Sequence, residues 1–307
     1  MRASGFAAAA FVLLLTGPAL LQQPWVQQAG AQQSGAPAGG TAAAANSGLP
    51  ARTPDLGAGA LPGGGLTSGG GPIEIDATEG VEWNQDQKVY IARGNARAAR
   101  GDTSISADSL IAHYRGDATG RTDIYMVEAL GHVVVLSKDS RIVGDKAVYN
   151  LDNGSAVLTG SGLKATSKDQ YVTARDSMEY WEKQNAVIAR GDALAVNAQQ
   201  QVKADTLTGY FRADSSGTKK LYQVEGIGNV VITGKGSVVH AAKAIYNMDS
   251  DIATLEGGVK ISRGKNQING EHAIYNLRTG QAKMSGGGGQ VKTLLVPGGD
   301  AGNPLNP

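Results

Sequence analysis

A repeated unit of roughly thirty residues constrains the fold of this chain more than any other feature of the sequence. Each unit begins with Gly and a small or polar residue and continues as a small or β-branched run. It then places a small residue beside an acid and closes on an aromatic residue. The third opening is degenerate, at Gly160-Ser161-Gly162. The other openings are Gly94-Asn95, Gly131-His132, Gly191-Asp192, Gly228-Asn229 and Gly257-Gly258.

The repeated units are themselves grouped into a longer repeat. Ile91-Ala92-Arg93-Gly94 returns 97 residues later as Ile188-Ala189-Arg190-Gly191, and Ala107-Asp108-Ser109-Leu110 returns as Ala204-Asp205-Thr206-Leu207. The repeats therefore predict a body at 73–285 that arose by tandem duplication, with blocks at about 73–175 and 176–285.

The patterning of the body predicts an all-β fold. Short alternating runs are separated by Gly, Asn and Asp, and no stretch keeps a period of 3.6 residues. A bulge at Ala107-Asp108 would bring Ile105 and Leu110 to the same face, and the same phase break recurs at Gly144-Asp145 and Gly270-Glu271. A single hairpin cannot bury its apolar face alone. We therefore expect stacked antiparallel hairpins in an elongated, open β-jelly-roll with a V-shaped section.

The two ends of the sequence differ from the body. Residues 1–31 combine Arg2, an apolar run and the small-x-small site Ala29-Gly30-Ala31, which is typical of a cleaved signal peptide. An uncleaved anchor reaching Leu21 is the alternative. Residues 32–72 are rich in Gly, Ala and Pro and predict a disordered linker. Residues 286–307 predict a flexible tail.

Composition excludes several functions. The chain has 28 basic and 27 acidic residues, so it lacks the positive charge that a general nucleic-acid binder needs. It has no cysteine, which excludes disulfides and thiolate chemistry. The four histidines lie in different units, and no catalytic or metal-binding constellation is found. The sequence thus predicts neither an enzyme nor a cofactor.

The iterated motifs resemble the LptA/OstA family of lipopolysaccharide transport proteins. The match is Ile105-Ser106-Ala107-Asp108-Ser109-Leu110 followed by Gly131-His132-Val133-Val134-Val135. It returns as Val202-Lys203-Ala204-Asp205-Thr206-Leu207 followed by Gly228-Asn229-Val230-Val231-Ile232. The resemblance covers about 73–285.

The resemblance implies a periplasmic carrier that holds lipid A acyl chains in an apolar groove. It also implies end-to-end contact with inner-membrane-anchored and outer-membrane components of a lipopolysaccharide bridge, and association with both membranes. An end-to-end homo-oligomer is a further expectation. Strand alternation gives the inward-facing residues that we predict to contact lipid: Leu110, Val133, Val135, Ala147, Tyr149, Leu158, Leu207, Val230, Ile232, Ala244, Tyr246, Leu255, Ala273 and Tyr275.

Other interpretations stay open at this point. The chain could be the membrane-anchored partner of the same transport system. It could also be a secreted β-repeat adhesin or envelope scaffold, whose inward residues form an ordinary sealed core. A glycan-active enzyme would need two carboxylates at one level of the structure, which acids recurring once per hairpin do not suggest.

Overall fold

A computed structural model of the chain describes residues 74–100, 103–116, 122–137, 140–168, 170–198, 200–215, 219–234, 236–276, 278–279 and 281–296. These residues form eighteen β-strands, and every registered pair of strands is antiparallel. The strands are β1 (Glu74–Asp76), β2 (Gly80–Asn84), β3 (Val89–Arg100), β4 (Thr103–Gly116), β5 (Thr122–Ser137), β6 (Ser140–Asn150), β7 (Ser155–Thr159), β8 (Leu163–Ser167), β9 (Gln170–Ala174), β10 (Ser177–Trp181), β11 (Ala186–Val196), β12 (Gln200–Ala213), β13 (Lys219–Gly234), β14 (Ser237–Asn247), β15 (Ile252–Arg263), β16 (Asn266–Asn276), β17 (Gln281–Ser285) and β18 (Lys292–Leu294).

The long strands are bent in the middle by bulges. The β3–β4 register runs to Arg93↔Ser109 and resumes at Ala96↔Ala107, so that Gly94 and Asn95 oppose the single residue Asp108. Gly94 and Asn95 have φ of +77° and +46°, a left-handed conformation that Gly and Asn tolerate best. Register breaks also occur at the predicted small–acidic pairs Gly144-Asp145 and Gly270-Glu271, but the extra residue lies in the opposite strand, at Gly131-His132 and Gly257-Gly258.

These breaks divide the sheet into two halves, which we call leaves, joined along a line that we call the seam. The first leaf contains β2, β7, β10 and β17 together with the halves of the long strands that pair with them. The second leaf contains β1, β8, β9 and β18 with the remaining halves. The inner faces of both leaves contribute to one apolar core, as sheet packing requires.

Small residues line the seam on its inner side. Ala96, Ala129, Ala189 and Ala193 are almost fully buried beside larger side chains such as Val133. A Cβ added to Gly144 would meet Leu158 at 2.8 Å and Leu163 at 2.9 Å. Small and large residues therefore pack together in one apolar cluster at the seam.

Equivalent hydrogen bonds recur 97 residues apart. Thr78 N and Glu79 N donate to Gly94 O and Arg93 O, at 2.8 and 3.0 Å. Arg175 N and Asp176 N donate to Gly191 O and Arg190 O, at 2.7 and 3.0 Å. The start of the described chain thus has the same local structure as residues one block later.

The all-β prediction is confirmed, as is the antiparallel arrangement of successive hairpins. The expectation of short strands was wrong: the strands reach 16 residues, because Gly-Asn and its equivalents bend a strand instead of ending it. The V-shaped jelly-roll section stays a prediction.

The predicted ends of the chain are described only in part. β18 lies inside the segment predicted as a flexible tail, because the edge of β16 offers backbone groups with which it pairs. Residues 297–307, the predicted signal peptide and the predicted linker lie outside the described residues.

Candidate lipid-binding interior

Two rows of side chains line the inner face of each leaf. The seam rows lie next to the bulges, and the rim rows lie one alternation further out. In the first leaf, Leu110, Ala129, Ala147 and Leu158 are consecutive members of the seam row. Ala112, Val127, Tyr149 and Ala156 are the corresponding members of the rim row.

All fourteen residues predicted to contact lipid lie in these four rows, and burial separates them into two groups. Eight are buried and belong to the apolar core: Leu110, Val133, Leu158, Leu207, Val230, Ala244, Leu255 and Ala273. Six are half-buried: Ala147 in a seam row and Val135, Tyr149, Ile232, Tyr246 and Tyr275 in the rim rows.

The two groups differ in how much side-chain surface they leave available to a ligand. Val133 is 0% exposed and Leu207 and Val230 are each 1% exposed, so these seam residues hold the leaves together. The half-buried rim residues keep surface that a ligand can cover. Contact with lipid by any of the fourteen stays a prediction, and the rim rows are where it is physically easiest.

Sequence reasoning missed several rim-row residues of the second leaf. Val202 and Val239 pack against the core as Val135 and Ile232 do, and Ile261 is buried in the same row. Cross-strand register places Val202 opposite Ile232 and Val239 opposite Ile261. The alternation of inward and outward residues along each strand could have identified them, provided that the change of phase at the bulge was taken into account.

Tyrosines carry the polar groups of the first-leaf rim row. Burial raises the pKa of Tyr149 above its ordinary value, and the nearby Glu182 and Tyr180 raise it further. Burial is also the larger cause for Tyr246, and together with the nearby Asp251 it raises the pKa of Tyr246 to about 12. Burial also raises the pKa of Tyr275, whose hydroxyl is buried without a hydrogen-bond partner among the described residues. Neutral tyrosines present an apolar ring with a polar tip, which suits a boundary between hydrocarbon and water.

The acids of the small–acidic pairs stabilise the seam. Asp145 Oδ2 accepts hydrogen bonds from Ser161 N at 2.7 Å and Ser161 Oγ at 3.0 Å, which lowers the pKa of Asp145. Asp108 contacts the His132 ring at 2.9 Å, and this contact raises the pKa of His132. No group of three potential metal ligands occurs in the part of the chain that the structure describes.

The family model for the LptA/(LptD N-terminal domain) LPS transport proteins matches the chain twice, at residues 74–176 and 171–281. The chain belongs to this family. The family consists of non-enzymatic transport proteins, which confirms the prediction that the chain is not an enzyme, and membership gives it a role in lipopolysaccharide transport.

Two individual proteins are similar to this member of the LPS transport family. An uncharacterized protein of Rhizobium meliloti (strain 1021) is 23% identical over 141 residues, which are 44% of this chain and 76% of the relative. LptH of Pseudomonas aeruginosa is described as the LptA homologous periplasmic component of the conserved lipopolysaccharide transport device. Its crystal structure matches with 18% identity and a TM-score of 0.35, over 42% of this chain and 95% of LptH.

The residues that the structure describes include no helix that is long and apolar enough to cross a membrane.

Proposed function

We propose that the chain carries lipopolysaccharide across the periplasm, with the lipid A acyl chains lying between the two leaves. The observation that carries this proposal is the match of both blocks to the LPS transport family. Because the inner rows continue from block to block, an acyl chain would meet apolar side chains along the whole stack.

The energetics favour an extended apolar surface. Each CH₂ group removed from water contributes about 0.8 kcal/mol, so a carrier must cover most of an acyl chain. The rim rows supply such cover through Val135, Val202, Ile232 and Val239 on the second leaf. The tyrosines of the first leaf would lie near the boundary with the sugar head group.

Site-specific photo-crosslinking tests this proposal. A benzophenone side chain at Val135 or Tyr149 should form adducts with lipopolysaccharide in cells. The same probe at Val134 or Val148, the neighbouring residues on the outer faces, should form few. Equal labelling of inner and outer positions, or none at either, would contradict lipid carriage between the leaves.

Bridge formation is the second part of the proposal. Among the described strands, β2 pairs only with β3 and β17 only with β16, so each end of the first leaf has an edge available for strand addition. Inner-membrane-anchored and outer-membrane components would add strands there. Cells depleted of this chain should retain newly made lipopolysaccharide at the inner membrane, and normal export after depletion would contradict a bridging role.

The predicted signal peptide places the protein in the periplasm in this proposal. Sequencing of the exported protein should find Gln32 as its first residue. Retention of residues 1–31 would favour the alternative of a membrane-anchored partner in the same transport system.

A further inference from the structure

A basic side chain, Lys219, reaches the apolar inner face of the first leaf. Cross-strand register places Phe211 opposite Leu221 and Ala213 opposite Lys219 at the ends of β12 and β13. Phe211 and Leu221 belong to the apolar core, so alternation directs Lys219 to the inner face and Lys220 to the outer face.

The ammonium group of Lys219 lies against Tyr180, a member of the first-leaf rim row. Lys219 Nζ donates a hydrogen bond to the Tyr180 hydroxyl at 3.3 Å and lies 5.9 Å from the centre of its ring. Tyr180 is on β10, opposite Ala156 on β7, where the two blocks meet. Because β11 and β12 separate β13 from β10 in the sheet, Lys219 connects strands that are not neighbours.

The side chains around this contact are apolar and deeply buried. Val187 is 0%, Phe211 5%, and Leu221 and Tyr180 each 8% exposed, and Lys219 itself is half-buried. A lysine can cover such a surface with its methylene groups while its charged end stays at the boundary with water.

The equivalent region of the first block is more open and has a different residue at the key position. Tyr90, Tyr114 and Ile124 are half-buried there, and the residue 97 positions before Lys219 is Thr122. The duplication therefore has an ammonium at this position only in its second copy.

The charge of Lys219 is not neutralised by a carboxylate in the part of the chain that the structure describes. Lys243, which is also half-buried, pairs with Glu225 at 2.8 Å, and the exposed Lys220 pairs with Asp214 at 2.8 Å. Removing an ammonium from water without a counterion costs free energy. An anionic ligand at this position would offset that cost.

Tyr149 adds a second hydroxyl group to the site. Tyr180 and Glu182 both contribute to the raised pKa of Tyr149, so the two tyrosines are close neighbours. Glu182 and the exposed Lys183 lie on the turn after β10 and offset each other in charge. One ammonium and two hydroxyl groups therefore lie together at the margin of the apolar rows.

We propose that Lys219, Tyr180 and Tyr149 bind the phosphate ester of an acylated lipid whose chains lie on the inner rows. This inference rests on the proposed lipid carriage and adds the position and the chemistry of the head group. A phosphate ester offers three acceptor oxygens, enough for one ammonium and two hydroxyl donors, whereas a carboxylate has two. A lysine ammonium also binds phosphate well as a point charge. The site would give a lipid one preferred position, midway along the first leaf.

Binding of lipid A with and without its phosphates tests the site. The purified full chain would be titrated with phosphorylated lipid A and with the same lipid A after enzymatic dephosphorylation, and bound lipid would be measured by native mass spectrometry. Lys219→Met keeps an apolar stem and removes the ammonium. It should weaken binding of phosphorylated lipid A roughly tenfold and binding of the dephosphorylated form by less than about twofold.

Lys220→Met is the matched control, because Lys220 is the next residue but points outward and pairs with Asp214. It should leave the binding of both lipids unchanged, and Lys219→Arg should keep the preference for phosphorylated lipid A. Equal losses for both lipids in Lys219→Met, or no loss for either, would overturn the anchor.

Tyr180→Phe decides the question if thermal denaturation shows that Lys219→Met does not fold. It removes only the hydroxyl group that holds the ammonium, and it should lower the preference for phosphorylated lipid A. An unchanged preference in that variant would overturn the anchor.

Two further results distinguish the source of the phosphate and the failure of each proposal. Millimolar inorganic phosphate should not displace lipid A, since the acyl chains supply most of the binding; displacement would indicate a site for free phosphate and overturn the lipid anchor. A wild-type chain that binds neither lipid would overturn lipid carriage itself. Equal binding of both lipids by the wild-type chain would overturn only the anchor.

Discussion

Asn229 on β13 donates its side-chain amide to both carboxylate oxygens of Asp205 on β12, at 3.1 and 3.0 Å, where the two strands cross the seam. Asn229 has a φ of +48°, so the hydrogen bonds hold a residue in a left-handed conformation. Asp108 and His132 form the corresponding pair one block earlier. The acids Asp108 and Asp205 therefore hydrogen-bond the left-handed residues of the bulges that lie opposite them.

Removal of this carboxylate should destabilise the seam. Asp205→Ala loses the two hydrogen bonds to Asn229, and we expect a loss of about 0.5–1.5 kcal/mol in the free energy of unfolding. Urea denaturation measures it, with Gln201→Ala on the exposed face of the same strand as control. Equal losses of unfolding free energy from the two substitutions would show that the Asp205 carboxylate does not stabilise the bulge.

Gly228 and Gly236 separate steric from conformational effects. Their φ values are +75° and +76°, but a Cβ at Gly228 would collide with the Asp205 carboxylate, whereas nothing lies within 4 Å of one at Gly236. Both changes to Ala should cost about 1–2 kcal/mol for the left-handed backbone. Gly228→Ala should cost more, and Asp205→Ala in the same chain should remove the excess. Thermal denaturation of the three variants measures it, and a Gly228→Ala variant as stable as Gly236→Ala would exclude the collision.

His132 should make stability depend on pH. Its contact with Asp108 raises the pKa of His132 in the folded chain, so the contribution to stability is complete below the unfolded pKa of about 6.5. The contribution is lost as the pH rises through the higher folded value. NMR titration of the imidazole should show a lower pKa in Asp108→Asn. His132→Asn, which places at this bulge the residue found at 95 and 229, should lack this part of the pH dependence.

Glu179 and Glu82 offer a matched comparison of ion pairs, since they are 97 residues apart in the duplication. Glu179 is 8% exposed and accepts hydrogen bonds from Arg190 at 2.7 Å, Ser177 at 2.8 Å and Trp181 at 2.9 Å. Glu82 is exposed and lies 3.9 Å from Arg93. Glu179→Ala should cost about 3 kcal/mol and Glu82→Ala at most about 0.5 kcal/mol in chemical denaturation. Similar costs would mean that burial does not strengthen the interactions of Glu179.

The repeat, the fold class and the bulges could be predicted from the sequence because they depend on local patterns. A small residue beside an acid breaks the alternation of inward and outward residues, and Ala107-Asp108 does so visibly. The inward faces of strands such as β14 follow from the same rule, since Ala244 and Tyr246 alternate with Lys243 and Ile245.

The structural role of the Gly-Asn pairs could not be predicted in this way. Gly followed by Asn is typical of a turn, and nothing local distinguishes a turn from a bulge at which the chain continues. The sequence also does not reveal how deeply each inward-facing residue is buried. Val133 and Val135 both point inward along β5, but only Val133, which lies next to the seam, is fully buried.

The covalent link between the two blocks has a mechanical consequence. The two blocks pair through β7–β10 and β8–β9 within one polypeptide, so this junction cannot dissociate at any protein concentration. A structure of the same length built from two single-block proteins would depend on a non-covalent contact at this place.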